Sequence, residues 1–538
     1  MRNYLIFIGV VLVSTFSVMA QERVYVSTDK DVYVAGEDVW YSVHCLYGDG
    51  GNHSNLSDVA YLQFVSSDGI AGTSKVALIN GRGCGKFRIP ASFETGNYSV
   101  VSFTKRYGGD SEGEFNGKII SVFNTLGTAK VKDGVIAGKG RGKEVALPGH
   151  NSSQASVEVG AQVKGAVPVK IRNNGSGVMR LSVSVYHADE LEEISGSYNS
   201  TTLLERKGNF AKLDEVDYAG EVIKVRVKGK DGSSAVGKWL YMSGAGNADD
   251  VYVTRIGEDG TAVFHTGNIM GRRDLAFEVM ATSVAYEVEI VENDYKRATV
   301  EIPQLEISPE MEKGLRERGR RMQIARRFDS DTLWEMCARK DNSFAGNTPP
   351  LVYDLDDYTR FMNLEEVLRE YVDFVRVRRD GGKAEIKVLW ESRGRCLALL
   401  DGIPVSDHSV ILGVNQQLVK RIVVYPKRYM LNNFIYDGVV NFITYKGDMG
   451  GVQLPKNVAV IGFDGVSWPV ALLGGQVAAG EEYPNFLSTI YWNPMVDIPA
   501  GEVFEFKCIL PQYKGKFRIV VEGITDSMEE VYFSRLLE

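Results

Sequence analysis

The stretch Ser27–Trp40 reads STDKDVYVAGEDVW. Val32, Tyr33 and Val34 make a short β-branched and aromatic run, Gly36 permits a turn, and Val39-Trp40 opens a second run. The pattern continues outward from Arg23 to about Asn124. Val24–Val26, Val39–Val43, Val59–Val65, Lys86–Ile89 and Tyr98–Phe103 alternate or run apolar between Gly, Asn, Asp and Ser turns. This spacing predicts an all-β sandwich of about 100 residues.

Thr28-Asp29-Lys30, then Tyr33, then Gly36-Glu37 before a hydrophobic strand resembles the opening of the second macroglobulin domain of the α-2-macroglobulin superfamily. The family pattern carries Pro before Gly-Glu, where this chain has Ala35. The resemblance implies a β-sandwich and no reaction. The Cys-Gly-Glu-Gln thioester of some members is absent, and Gly83-Cys84-Gly85-Lys86 does not replace it.

The chain has 538 residues, 44% of them hydrophobic and 24% charged, which is ordinary globular composition with room for several domains. Gly is abundant at 57 and Pro sparse at 15, as suits short strands joined by glycine turns. A formal net charge of -8 argues against a nucleic-acid binder. Residues 1–20 read as a secretory signal peptide, with Arg2, an apolar Leu5–Val13 and a Val18-Met19-Ala20 cleavage site. The apolar run is short for a membrane anchor, no Cys follows the cleavage site for lipidation, and no later run reaches about 18 apolar residues. Cys45, Cys84, Cys337, Cys396 and Cys508 are scattered without CxxC spacing. Export permits disulfides, so either Cys45 pairs with Cys84 or all five are buried thiols.

The expected organisation is a macroglobulin-like sandwich at 21–126, a second β-sandwich at 127–208, a third at 218–303, a linker helix region at 308–345, a small α/β domain at 350–450 and a C-terminal β-sandwich at 456–538. The second sandwich ends in the acidic run His187–Glu193, read as a solvated loop or helix start rather than a Ca²⁺ site. Gly257–Gly260 reads as a hairpin turn. Glu310–Phe328 reads as a helix with a thin apolar stripe and a basic, solvated face. Asn363 and Glu366 resemble a capping pair. Trp492-Asn493-Pro494 suggests a buried aromatic closing a strand into a turn, with sugar stacking on Trp492 as the sharper alternative.

Cys396–Lys446 is the most distinctive later run, with β-rich segments Cys396–Leu400, Val419–Tyr425 and Val439–Tyr445 and turns expected at Asp401-Gly402 and Asp437-Gly438. A helix and a hairpin precede Leu399–Val405, and the strands Val419–Val424 and Gly438–Thr444 follow. This order over about Asn363–Gly447 resembles the plug domain of TonB-dependent outer-membrane receptors. Together with the upstream module it is similar to a group of exported Bacteroidetes-type proteins that carry macroglobulin-like and plug-like modules on one chain; the Tyr-Trp-Asn-Pro run is similar to their final sandwich. The bulky Tyr429–Tyr436 departs from the receptors' Gly/Ala-rich approach. No barrel-sized segment follows within this sequence, so the module is not expected to gate a pore of its own.

Catalytic signatures are missing. The six histidines show no HExxH or HxH spacing, and neither a GxSxG elbow nor a phosphate-binding GxxxxGK[ST] occurs. Asp401, Asp407 and His408 fall close in sequence, but Asp401 reads as a turn former and His408 as a surface-loop residue. No catalytic, cofactor-binding or metal-binding residue is assigned, and no cofactor. The expectation is a mainly β, non-enzymatic, exported protein of the periplasm or outer-membrane face, without a transmembrane span. It would act through an outer-membrane or periplasmic protein partner by β-augmentation. Two alternatives remain: a macroglobulin-like protease inhibitor with a bait in Gly127–Ser153, and a glycan-binding or glycan-active protein.

Overall fold

A computed structural model describes residues 22–47, 52–106, 117–126, 134–136, 152–191 except 164, 216–291 except 247–249 and 281, 302–327 except 308, 335–336, 349–389 except 382, 396–473, and 486–537 except 512–514 and 528. The expected signal peptide, Cys337 and most of 127–153 lie outside these residues. Strands dominate throughout, as the alternation predicts.

The first sandwich comprises β1 (Glu22–Thr28), β2 (Val32–Val34), β3 (Asp38–Tyr47), β4 (Val59–Ser66), β5 (Gly69–Ala77), β6 (Arg82–Arg88), β7 (Gly96–Phe103) and β8 (Lys118–Phe123). They form two sheets, β1-β3-β6 and β2-β8-β7-β4-β5. Val26, Tyr41, Leu62, Phe64, Val100 and Ile120 close the core between them, each worth roughly 1.5–3 kcal/mol in burial. Gly36 turns the chain with φ +97°, and a Cβ there would lie 2.7 Å from Met322 Sδ. Ala35 stands where the resembled motif has Pro, and its N–H donates to Phe123 O at 2.8 Å. Proline has no N–H with which to make that bond.

The polar residues of the opening stretch turn inward. Asp29 and Lys30 are buried, and Lys30 Nζ donates to Asp29 Oδ2 at 3.0 Å and to Thr489 Oγ1 at 3.1 Å. Asp29 Oδ1 also accepts from Tyr33 Oη at 2.7 Å and from Trp40 N at 3.0 Å. Glu37 accepts from Arg318 Nε and Nη2, both at 3.1 Å. Burial pushes the Glu37 carboxyl up, but Arg318 and Lys30 outweigh it and hold it below the ordinary value.

Arg318 belongs to α1 (Met311–Arg327), and it is only 2% exposed. Lys313, Arg316, Arg320, Arg326 and Arg327 are exposed as the solvated basic face expects, but Arg318 departs from it, joining Met311, Gly314 and Met322 on the buried side of α1. The acidic run is not merely a solvated loop either, since Asp189 pairs with Arg318 at 3.4 Å and Arg321 at 3.5 Å, and Leu191 is buried.

Further along come β9 (Gly134–Ile136), β10 (Ala155–Val159), β11 (Ala166–Asn173) and β12 (Met179–Ala188), then β13 (Val222–Gly229), β14 (Trp239–Gly244), β15 (Val251–Arg255), β16 (Thr261–His265), β17 (Arg272–Val279) and β18 (Tyr286–Ile290). After β19 (Leu305–Ile307), which pairs in parallel with β9, and β20 (Glu335–Met336), the α/β unit runs from β21 (Leu351–Asp354) through α2 (Leu364–Glu370), β22 (Val375–Asp380), β23 (Lys383–Val388), β24 (Leu397–Leu400), β25 (Ile403–Pro404) and α3 (His408–Leu412) to β26 (Val419–Leu431) and β27 (Phe434–Thr444). The chain continues with β28 (Val458–Asp464), β29 (Val470–Ala471), β30 (Thr489–Ile498), β31 (Val503–Ile509), β32 (Lys516–Thr525) and β33 (Glu530–Leu537).

The expected second and C-terminal sandwiches are one. Its sheets are β10-β11-β31 and β30-β12-β32-β33, so both neighbours of β12 come from the far end of the chain. The separation at 127–208 and 456–538 is thereby corrected. Strand alternation sets which face is buried, but it carries no information about the partner strand. The third sandwich likewise borrows β28, pairing β16-β13-β18 against β15-β14-β17-β28. Gly257–Gly260 connects β15 to β16 across its two sheets, where a hairpin was expected. Strand β30 runs straight through Pro494 instead of turning at Asn493-Pro494. It is an edge strand with a register shift opposite Leu181/Val183, a setting that tolerates proline.

In the α/β unit the mixed sheet is β21-β26-β27-β24-β25, with only β24 and β27 parallel. Helix α2 and the β22–β23 hairpin cover one face through Leu364, Val367, Leu368 and Ile386. The other face meets the third sandwich through Tyr241, Val253, Leu399 and Tyr436. Asn363 caps α2, its side chain accepting from Glu366 N at 2.9 Å. The expected Asp401-Gly402 turn joins β24 to β25 with φ +49° and +80°. Asp437-Gly438 instead lies inside β27, and the β26–β27 turn falls at Asn432-Asn433. A Cβ on Gly438 would sit 2.5 Å from Val388 Cβ, so close packing rather than a turn requires this glycine.

The first sandwich packs against the composite one through buried charge. Lys118 Nζ donates to Glu522 Oε2 at 2.6 Å, with Asp31 at 3.3 Å. Burial works against the ammonium, but Asp31 and Glu522 hold it charged, above the ordinary lysine value. Nearby, His44 Nδ1 and His53 Nε2 lie 3.1 Å apart. Burial keeps both neutral, with Arg82 and Arg180 adding to it: His44 falls well below 6.5 and His53 to about 4.

Two predictions follow from these contacts. Arg318→Met should destabilise the protein by about 3–5 kcal/mol by stranding Glu37, with Arg318→Met/Glu37→Gln recovering much of the loss; thermal unfolding of the three proteins checks this. A base with a depressed folded pKa is protonated first in the unfolded chain, so stability should be full above 6.5 and fall as pH drops toward 4. In melting temperatures measured across that range, His53→Gln should show a flatter acid slope than the parent.

Candidate functional site

Between the first and third sandwiches lies a cleft of about 700 Å³. Its walls come from strands already placed by their cores. From the first sandwich, β4 supplies Tyr61 and Gln63, β5 supplies Thr73, Ser74 and Lys75, and β6 supplies Lys86, Phe87 and Arg88. From the third, the start of β13 supplies Lys224, with Glu221 just before it, while β28 supplies Phe463 and Asp464. Trp468, 39% exposed, stands at the rim against Gly271, where an added Cβ would come 2.9 Å from the indole nitrogen.

Buried ion pairs join the two walls. Lys105 Nζ donates to Asp217 Oδ1 at 3.2 Å and to Val222 O at 2.8 Å. Tyr61 Oη donates to the other oxygen of Asp217 at 2.8 Å. Lys75 Nζ donates to Glu221 Oε1 at 2.6 Å and sits 4.2 Å from the centroid of the Phe463 ring. Burial outweighs the opposing pull of Lys105 and Lys75 and holds both the Asp217 and Glu221 carboxyls above their ordinary values. Glu221 Oε2 is buried with no hydrogen-bond partner. At the floor, Tyr41 Oη, Ser74 Oγ and Ser467 Oγ form a triangle of 2.8, 3.0 and 3.1 Å.

The lining contains six cations (Lys75, Lys86, Arg88, Lys105, Lys224 and Arg272) against two carboxylates, Glu221 and Asp464. Asp38 and Asp217, outside that lining, pair with Arg88 and Lys105 and bring the ratio to six against four; Lys86 also lies 3.9 Å from Asp38, and Arg272 3.8 Å from Asp464. The cleft is therefore basic on a chain whose net charge is -8.

The residues singled out from sequence lie elsewhere and carry structure. Asp401 is buried and accepts from Thr444 N and Oγ1 at 2.7 Å each and from Met449 N at 2.8 Å. Asp407 caps α3 by accepting from Ser409 N at 3.0 Å. His408 is no surface-loop residue: it is 7% exposed, and Nδ1 accepts from Ile386 N at 2.9 Å. Trp492 is fully buried beside Trp40, Val470 and Leu472, which rules out a sugar stacking on it. Cys84 faces Ser42 and Cys45 faces Val24 across their ladders, so the Cys45–Cys84 disulfide is not formed; with Cys396 and Cys508 they are buried thiols. Among the described residues, no three His, Cys, Asp or Glu side chains cluster as a metal site, and no helix is long and apolar enough to cross a membrane. The cleft residues escaped sequence reading because they come from segments far apart in the chain; Lys105 and Asp217 are 112 positions apart.

No protein-family model matches the chain, and no curated protein matches it. Among solved structures, trypsin-activated alpha-2-macroglobulin from Escherichia coli aligns at 7% identity over 96% of this chain and 41% of that one, with a TM-score of 0.23. Salmonella alpha-2-macroglobulin reacted with methylamine aligns at 8% identity over 96% and 39%, also with a TM-score of 0.23. The Yersinia pseudotuberculosis adhesin InvE aligns at 9% identity over 52% and 62%, with a TM-score of 0.13. The chain thus spans about two fifths of the macroglobulin structures that it matches. Overlays this loose leave function to be read from the residues themselves.

Tyr61→Phe removes one donor from buried Asp217. It should lower stability by about 1.5–3 kcal/mol, the range for a hydrogen bond to a charged group, as measured by thermal or denaturant unfolding.

Proposed function

We propose that this chain is a non-enzymatic protein of the cell envelope that works as an interaction scaffold, or as an accessory to an outer-membrane system. One observation carries the reading. Buried ion pairs join the first sandwich to both others, and Asp29, Asp217 and Glu522 are taken up in those joints and Asp401 in a turn. What the framework presents outward is a wide basic cleft with aromatic walls. Such a surface suits recognition, and its charge suits an acidic partner. The signal-peptide character of Met1–Ala20 supports export, and the plug-like order of 350–450 supports an outer-membrane association.

Placing a photo-crosslinking residue at position 224 in intact cells tests the reading. The expected outcome is a discrete adduct with one envelope protein, lost when Arg272→Glu is added. Labelling no greater than that from a control site on α2 would overturn it. The alternative of a macroglobulin-like inhibitor rests on the Ser27–Trp40 resemblance. Incubation with broad-specificity proteases separates the two, since an inhibitor cut within Gly127–Ser153 retains the protease and a scaffold releases it.

A further inference from the structure

The charge of the cleft is largely balanced within its own walls. Lys75 holds Glu221, Lys105 holds Asp217, Lys86 and Arg88 share Asp38, and Arg272 faces Asp464. A small ligand entering the cleft is therefore selected less by charge than by what the paired groups and the aromatic side chains still offer.

One such set of residues lies together at the mouth. β17 begins at Arg272 and β28 ends at Asp464, and the two stand opposite each other on adjacent antiparallel strands. Arg272 Nε and Asp464 Oδ1 are 3.8 Å apart, beyond hydrogen-bond length, and the side chains are 85% and 87% exposed. The pair is compensated in charge, yet neither side chain makes a hydrogen bond to a described residue, so its donors and acceptors face outward. An exposed pair of this kind adds little to stability.

Gly271, the residue before Arg272, packs against the indole of Trp468, and the backbone fixes that indole in place. Val466 N donates to Ile269 O at 2.7 Å and Gly271 N to Val466 O at 2.8 Å, which ties the segment before Trp468 to the third sandwich. Ser467 N donates to Lys75 O at 2.7 Å, which ties it to β5 of the first. Val466 is fully buried, whereas Trp468, two positions on, stays 39% exposed at the rim of the cleft. A tryptophan so placed gives up burial without gaining freedom, as a preorganised contact surface does.

An aromatic plane beside a charge-compensated donor–acceptor pair matches a sugar ring. The apolar C–H face of a pyranose can lie on the indole, while a hydroxyl accepts from the guanidinium and donates to the carboxylate across the 3.8 Å gap. A protein surface closing over Arg272 and Asp464 would instead have to desolvate two charges. The rest of the cleft suits the same chemistry. Gln63 and Thr73 stand opposite each other on β4 and β5, line the cleft, and make no side-chain hydrogen bond to a described residue. The volume of about 700 Å³ lies among clefts that hold small ligands, roughly 300–1,000 Å³.

We propose that the cleft binds a neutral oligosaccharide, with one sugar ring stacked on Trp468 and its hydroxyls bridging Arg272 and Asp464. This goes beyond the scaffold reading, which concerns a protein partner, and does not depend on it.

The test is isothermal titration of the full chain with maltohexaose, cellohexaose, chitohexaose, mannohexaose and hexagalacturonate. At least one neutral sugar should bind, with hexagalacturonate at least about tenfold weaker. Trp468→Ala and Arg272→Ala should each weaken the bound sugar by about tenfold. Trp468→Phe should recover part of that loss, and unchanged melting temperatures show that the fold is intact. Binding undiminished by both alanine variants would place the sugar elsewhere and overturn the proposal, as would silence from all five probes. Binding of hexagalacturonate alone would overturn it in favour of recognition by charge. A specific crosslink from position 224 without sugar binding would leave the scaffold reading standing.

Discussion

Two buried cations, Lys30 and Arg318, hold the arrangement of the first sandwich, helix α1 and the composite sandwich. Lys30 ties Asp29 to Thr489 of β30, and Arg318 ties Glu37 and Asp189 to α1. Neither charge can leave its carboxylates without stranding them in a low-dielectric interior. Apolar surfaces can slide over one another at modest loss, whereas a buried ion pair with directed hydrogen bonds has one satisfied geometry. The remaining joints follow the same rule: Lys118 with Glu522, Lys105 with Asp217, and Lys75 with Glu221. Five lysine and arginine positions thus define how three sandwiches meet, and the cleft exists because those meetings are directional.

What could be read from the sequence was whatever is encoded locally. Alternation gave the strands of the first sandwich, Asn363 its cap, and Asp401-Gly402 its tight turn, because the determinants lie within a few residues of one another. Pairing across the chain left no local trace. β12 alternates equally well whether its neighbour is β10 or β32. The error at α1 has the same origin. Its apolar stripe is thin because Arg318 occupies the buried side, and an arginine reads as solvated unless Glu37, 281 positions away, is known to face it. Asp437-Gly438 was misplaced because a glycine required by a neighbour's bulk, here Val388, looks the same in sequence as a glycine required by a turn.

The candidate site was the least legible part. Lys75, Lys105, Lys224 and Arg272 are widely separated in sequence, and they come to line one cleft only once the two sandwiches are docked. The trio that did stand out, Asp401, Asp407 and His408, stood out because turns and helix caps concentrate polar residues. Polar density in sequence marked chain reversals here, whereas the chemistry that faces outward was assembled from a distance.

The composite sandwich also bears on how the molecule comes into being. A chain emerging from its N-terminus presents β10, β11 and β12 early, with Val169, Ile171, Val183 and Val185 awaiting cover. Their partners emerge far later: Asn173 Nδ2 donates to Ile498 O across 325 positions. Until then β12 has neither neighbour, and its apolar face and both ladder edges stay open while the third sandwich and the α/β unit form. Closure of so long a loop is slow, and an open strand edge invites foreign pairing. Loss of the final strands would therefore be felt not at the end of the molecule but near its beginning, in a domain whose first half had been waiting for them.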